Sequence, residues 1–143
     1  MPPDDATAAP AALPAGWKIM PAEDYPALIG PFLARREEGG GWRYGFVAEE
    51  RHLNRGGVVH GGMLVSFADE ALGATIWEAV GRRPVTTVQL NTHFIAPVRP
   101  GDLVELRAAV LRSTRTVVFV RGALEVGGRT VVHADGVWKI LHA

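Results

Sequence analysis

A histidine, a run of glycines and a carboxylate stand close together near the middle of this chain. Asn54-Arg55-Gly56-Gly57-Val58-Val59-His60-Gly61-Gly62 leads directly into an apolar segment that carries Asp69 and Glu70. The first backbone N–H groups of a helix have no intrahelical acceptor. Glycines at such an entrance let an anion, or a carbonyl oxygen gaining negative charge, reach those donors, and the helix dipole adds to the attraction. That is oxyanion-hole chemistry. The same two glycines can equally make a tight strand-to-helix turn, which is the commoner use of the residue. Asp69 falls about two turns inside the helix, past the positions where an acid caps the end or complements the dipole. With Phe67, Ala68, Ala71 and Leu72 around it, Asp69 is not expected to be fully exposed. Glu70 points about 100° away and is the expected exposed member of the pair.

The elements that must hold these groups follow from periodicity. From Gly61 to Val80, Met63, Leu64, Phe67, Ala68, Ala71, Leu72, Ile76, Ala79 and Val80 recur at three and four, the pattern of a helix buried along much of its girth. Gly81 is the expected stop. Gly62, Ser66, Asp69, Gly73 and Trp77 form one stripe on that helix, mostly of small residues. Beyond Pro84 the period changes to two. Val88, Leu90, Thr92 and Phe94 alternate with Thr87, Gln89, Asn91 and His93, predicting a strand with one apolar and one polar face. Further strands are expected through Val104 to Val110, Thr116 to Val126 and Thr130 to Leu141, with a hairpin at Gly127-Gly128. Trp42 to Ala48 reads as a strand before the helix. Together these predict an α+β domain, an antiparallel sheet wrapped around one long helix. Residues 1–16, rich in Ala and Pro, read as a disordered tail, and residues 17–41 as short helical turns followed by the Gly39-Gly40-Gly41 loop.

Composition narrows the function. Fifteen basic residues balance fifteen acidic ones, which disfavours nucleic acid or an anionic membrane as partner. The chain has no cysteine, so thiol catalysis and disulfides are excluded. The five histidines show no ligand spacing, and no metal or other cofactor is expected. There is no GxSxG elbow, phosphate loop, HExxH or dinucleotide GxGxxG. No stretch has the roughly eighteen uninterrupted apolar residues of a membrane span, and a cytoplasmic protein is expected. Arg99, Arg112 and Arg115 lie at strand ends and turns, where cations can meet phosphates, although exposed arginines are usually just solvated.

His52-x-Asn54-x-x-Gly57-x-x-His60-Gly61-Gly62, with Asp69 nine positions after His60, resembles the hotdog-fold acyl-CoA thioesterases, in particular the PaaI-like branch related to 4-hydroxybenzoyl-CoA thioesterases. The Thr87 strand and the Pro97-x-x-Pro100-Gly101-Asp102 turn follow in the family's order, so the resemblance covers about seven-tenths of the chain. It implies a hotdog fold and hydrolysis of an acyl-CoA to free acid and CoA. The Gly61 N–H would polarise the thioester carbonyl, and Asp69 would act as nucleophile or as general base toward water. Asn54 would orient the water or thioester, His60 would fix the turn, and Thr87, contributed across a dimer interface, would hold the attacking water. Gly62, Arg99, Arg112, Arg115 and Thr116 would contact the substrate, the last four at the CoA nucleotide. A homodimer or a homotetramer, as a dimer of dimers, is implied. Gly73 departs from one branch, which carries a hydroxyl there. Leu28 to Phe32 is expected to pack on the sheet rather than cover an acyl pocket. Two other readings stay open: a non-catalytic acyl-CoA binding or sensing module, and a hotdog enoyl-CoA hydratase or dehydratase.

Overall fold

The computed structural model describes residues 12 to 142. Residues 1–11, the greater part of the expected tail, lie outside them. A seven-stranded antiparallel sheet curls around one long helix, the arrangement of the hotdog fold. In chain order the elements are β1 (Lys18–Ile19), α1 (Asp24–Ile29), β2 (Leu33–Arg36), β3 (Trp42–Val47), a 3-10 turn (Glu50–His52), α2 (Gly61–Ala79), β4 (Val85–Phe94), β5 (Leu103–Ser113), β6 (Val117–Val126) and β7 (Arg129–Ile140). The strand order is β1-β2-β3-β5-β6-β7-β4, so β4 forms one edge of the sheet.

Helix α2 starts and stops where the glycines place it. Gly81 adopts a left-handed φ of 72°. Arg82 N donates to Trp77 O at 2.7 Å and Gly81 N to Glu78 O at 3.3 Å, the paired bonds of a Schellman motif. The face bearing Met63, Leu64, Phe67, Ala68, Ala71, Leu72 and Ile76 is buried against the sheet, where Val104, Val118, Val120, Leu124, Trp138 and Ile140 meet it. Removing this much apolar surface from water, at about 25 cal/mol per Å², is what holds the helix in the sheet's curl. Gly127 and Gly128 both take positive φ, 55° and 81°, as the expected two-residue hairpin requires.

The N-terminal segment departs from its expectation. Only Asp24–Ile29 is helical; β1 and β2 extend the sheet beyond β3. The short run Leu33-Ala34-Arg35-Arg36 carries too little alternation to announce a strand, and pairing with β3 decides it. Phe32 packs with Phe46 and Phe67 at centroid distances of 6.3 and 5.4 Å, so the expected packing holds there, whereas Leu28 is exposed.

His52 ties this segment down. Its buried ring accepts from the Glu49 N–H through Nδ1 at 3.0 Å, so Nε2 carries the proton and donates to Ile29 O at 2.8 Å. Arg51 donates to the carbonyls of Leu28 and Gly30 on either side. Burial pushes the His52 imidazole below its ordinary value, and the Arg51 charge adds to this. The unfolded chain therefore binds the extra proton more readily, and stability present above about pH 6.5 is lost as pH falls below it. Melting temperatures of the wild type and His52→Asn are expected to converge on acidification from pH 8 to about pH 5; a gap constant with pH would contradict this.

Candidate active site

The α2 entrance is built by His60. Its Nδ1 accepts from Gly62 N at 2.8 Å, capping the helix from within the motif. The ring stands so close that a Cβ on Gly62 would lie 3.0 Å from Nδ1, which is why the second glycine is needed. The Gly62 N–H is thereby engaged within the chain and is not free for the substrate contact expected of it. Among the described residues the Gly61 N–H has no acceptor, being the first helical position. A Cβ on Gly61 would meet the Phe94 ring at 3.1 Å. One free donor, kept open by the absence of a side chain, thus faces a cavity of about 440 Å³ lined by Asn54, Val58, Gly61, Phe94 and Pro97, among others.

Asn54 organises the loop before the helix. Its Oδ1 accepts from Gly56 N at 2.8 Å and Val58 N at 3.3 Å, and Gly57 turns at φ 82°. With the oxygen so engaged, the two N–H donors of Nδ2 are left for the cavity. The loop is pinned to the following turn by Val59 N donating to Val98 O at 2.8 Å. Arg99 sits in that turn, whose shape is held by Arg99 N donating to Asp102 Oδ2 at 2.8 Å.

Asp69 lies elsewhere. Eight residues separate it from Gly61 on one helix, about 12 Å along the axis. It lines a second cavity of about 380 Å³ with Glu70, Gly73, Trp77, Thr87 and Trp138. The two cavities have no lining residue in common. Thr87 Oγ1 donates to Asp69 Oδ1 at 2.6 Å within the same chain. Thr87 therefore stands with Asp69 of its own chain as one unit. The reading of β4 as a simple two-faced strand is corrected: the register with β7 slips between Thr87 and Gln89, so Thr87 pairs with Trp138 and Gln89 with Val137. Buried Trp138 marks the helix side of the sheet, so the bulge turns Thr87 toward α2 and away from the face of Gln89.

Glu70, exposed as expected, and Trp138 also line the Asp69 cavity, which periodicity did not indicate. Partial burial of the Glu70 carboxyl, with the Asp69 charge beside it, pushes its pKa up. Trp138 is 2% exposed, and its indole N–H has no acceptor among the described residues. It points at the gap left by Gly73, where a Cβ would be 3.6 Å from Nε1. The arginines expected at the CoA nucleotide are split as well. Arg112, Arg115 and Thr116 gather around the β5–β6 turn, and Arg99 lies before the start of β5, a strand about 33 Å long. A single chain does not bring them together.

Residues 56–133, more than half of the chain, match the family model of the thioesterase superfamily. The chain belongs to the thioesterase superfamily. This thioesterase is 32% identical over 114 residues to a Pseudomonas aeruginosa protein named as a candidate esterase, a match covering 79% of this chain and 85% of the relative. Its fold resembles a mutant of the phenylacetic acid degradation protein PaaI from Thermus thermophilus, with 22% identity, a TM-score of 0.71 and coverage of 82% and 98% of the two chains. A Bacillus halodurans protein solved with CoA is similar at 22% identity and a TM-score of 0.72, covering 85% and 81%. Among the described residues, no helix of the thioesterase is long and apolar enough to cross a membrane, and no three His, Asp or Glu side chains converge as a metal would require.

Proposed function

We propose that the thioesterase hydrolyses acyl-CoA at a site shared between two copies of the chain, the Gly61 N–H of one polarising the thioester carbonyl and Asp69 of the other delivering the attack. The observation that carries this is the separation of the two halves: a free donor in one cavity, and a carboxylate aligned by Thr87 in another, about 12 Å apart along α2. A carbonyl held at about 3 Å from the donor is out of reach of the same chain's carboxylate. Edge strand β4 offers the surface for pairing. Its outer backbone groups are unpaired over ten residues, and Val88, Phe94 and Ile95 are 55–62% exposed beside it. A two-fold operation on such an edge joins two sheets and creates two equivalent sites. The CoA bound to the Bacillus halodurans relative supports the choice of thioester.

In this arrangement Asp69, oriented by the Thr87 hydroxyl, attacks the carbonyl carbon or draws a proton from a water that does. The oxyanion forms at Gly61 and collapses to expel CoA thiolate; the water route gives the free acid directly, and on the nucleophile route water then cleaves the acyl-Asp69 anhydride to the acid and the restored carboxylate. Asn54, which lines the same cavity as Gly61, orients the thioester through Nδ2. Arg99 from one chain and Arg112, Arg115 and Thr116 from the other are the candidates for the nucleotide phosphates.

Mixing two inactive variants tests the shared site. Asp69→Asn and Gly61→Ala chains, each inactive alone, are expected to recover about a quarter of wild-type thiol release after unfolding and refolding together, because half of random dimers carry one intact site. No recovery in mixtures proven by mass to contain heterodimers would overturn it. Tight CoA-ester binding without thiol release by the wild type would instead favour a binding module.

A further inference from the structure

Trp138 stands at the wall of the Asp69 cavity with a donor that the fold leaves unused. The residue is 2% exposed, and among the described residues its indole N–H has no acceptor. A buried indole normally finds a partner, because a donor stripped of water and left unpaired bears the whole of its desolvation penalty. Among the described residues no orphaned side-chain nitrogen or oxygen is fully enclosed, so Nε1 is open to a water-sized molecule from the cavity. Its partner comes from that space.

Four residues close a ring around this nitrogen. Thr87 and Trp138 are direct partners across β4 and β7, with both side chains toward α2, where Cβ atoms lie about 4.5–5.5 Å apart. Thr87 Oγ1 donates to Asp69 Oδ1 at 2.6 Å. Asp69 and Gly73 are neighbours one turn apart on α2, about 5–6 Å between Cβ positions. A Cβ on Gly73 would stand 3.6 Å from Trp138 Nε1, so the glycine leaves open the place where an oxygen meets that N–H at about 2.9 Å. The Asp69 carboxylate and the lone pairs of the Thr87 hydroxyl line the same cavity as acceptors. A gap that leaves the indole 2% exposed admits one small molecule and no acyl chain or nucleotide. One donor and two acceptors are the complement of a water.

Resting on the acyl-CoA reading above, we propose that Trp138 is a further catalytic residue: its indole N–H seats the attacking water over Gly73, and Asp69 acts on that water as a base. The water oxygen accepts from Nε1 with one lone pair and keeps the other for the carbonyl carbon. Its protons face the Asp69 carboxylate and the Thr87 hydroxyl oxygen. As the new C–O bond forms, one proton passes to Asp69 and the carbonyl π pair moves onto the oxygen held by Gly61. Collapse breaks the C–S bond, and the thiolate takes the proton from Asp69, leaving free acid, CoA and the restored carboxylate. Gly73 is the opening this requires, kept although Ala would make the better helix.

The chain has four tryptophans, so the Trp138 indole proton is identified as the resonance that Trp138→Phe removes and Gly73→Ala moves. In the wild type it is expected to show magnetisation transfer from a bound water, to lose it in Gly73→Ala, whose Cβ fills the seat, and to shift in Asp69→Asn. Turnover of acetyl-, benzoyl- and palmitoyl-CoA is the second readout. Trp138→Phe and Gly73→Ala are each expected to lower kcat by about tenfold, the worth of one hydrogen bond, with KM nearly unchanged. Gly73→Ala also favours the helix, so a merely structural part for this turn predicts turnover that is equal or faster. That variant carries the test where loss of the core indole unfolds the chain. A wild-type indole without water transfer, Gly73→Ala at wild-type kcat, or label from heavy-oxygen water entering the Asp69 carboxylate in single turnover would each overturn the proposal. A wild type whose indole is hydrated yet hydrolyses none of the esters would overturn the thioesterase reading and leave the water seat standing.

Discussion

Asp69→Asn is expected to lower kcat/KM for CoA-ester hydrolysis by about a thousandfold or more, with the protein still folded and assembled. A general base contributes about 10²–10⁴ in rate, and a lost nucleophile costs at least as much. Asparagine keeps the shape and can still accept from Thr87, so the loss reports chemistry rather than packing. Thr87→Val is expected to cost less, about tenfold to a hundredfold, the worth of a hydrogen bond to a charged group. Near-normal turnover in Asp69→Asn would remove Asp69 from the mechanism altogether. Single turnover in labelled water then separates its two roles. Label entering the Asp69 carboxylate requires a covalent anhydride, whereas label found only in the released acid places the residue as a base.

The second large effect is expected at Gly136, a position far from any motif. It is buried on β7 opposite Leu90, directly beside the β4 bulge. A Cβ there would overlap the Gln89 carbonyl oxygen and stand 2.7 Å from the Trp138 ring. Backbone cannot swing aside as a flexible side chain can, so Gly136→Ala is expected to destabilise the fold by about 3 kcal/mol, the upper end for forced overpacking. It should also reduce turnover, because the bulge that it displaces aims Thr87 at Asp69. Gly73→Ala is the contrast. Its Cβ would make an ordinary contact with Trp138, and a helical Gly-to-Ala change is worth about 1 kcal/mol in favour. Chemical denaturation of the two variants checks both signs; equal midpoints would show that Gly136 does not hold the bulge.

These two substitutions also mark where sequence reasoning reached and where it stopped. The helix from Gly61, its stop at Gly81 and the Gly127-Gly128 hairpin follow from local physics. Apolar period, unpaired helix-end groups and positive φ each depend on a handful of neighbouring residues. So does the prominence of His60-Gly61-Gly62 and Asp69, although local pattern alone left open whether those glycines were a donor or merely a turn. The capping bond from Gly62 to His60, which frees Gly61 alone, needed the ring's position.

Alternation along β4 was legible, but its bulge was not, because the glycine that leaves room for the Gln89 carbonyl stands 49 positions after Thr87 on the strand alongside. Period two therefore put Thr87 on the face of Gln89, and pairing put it on the face of Asp69. Strands β1 and β2 escaped notice for a similar reason: short segments with weak propensity become strands only when an edge accepts them. The shared stripe of Gly62 and Asp69 is real on the helix, yet a stripe does not say which cavity each residue lines. The sequence by itself singled out the candidate groups, His60-Gly61-Gly62 and Asp69, since residue type and local spacing are features of neighbouring residues. Only the tertiary structure decided how they divide, because β4, β7 and the turn at 97–98 pack against α2 so that Gly61 and Asp69 line two cavities with no lining residue in common.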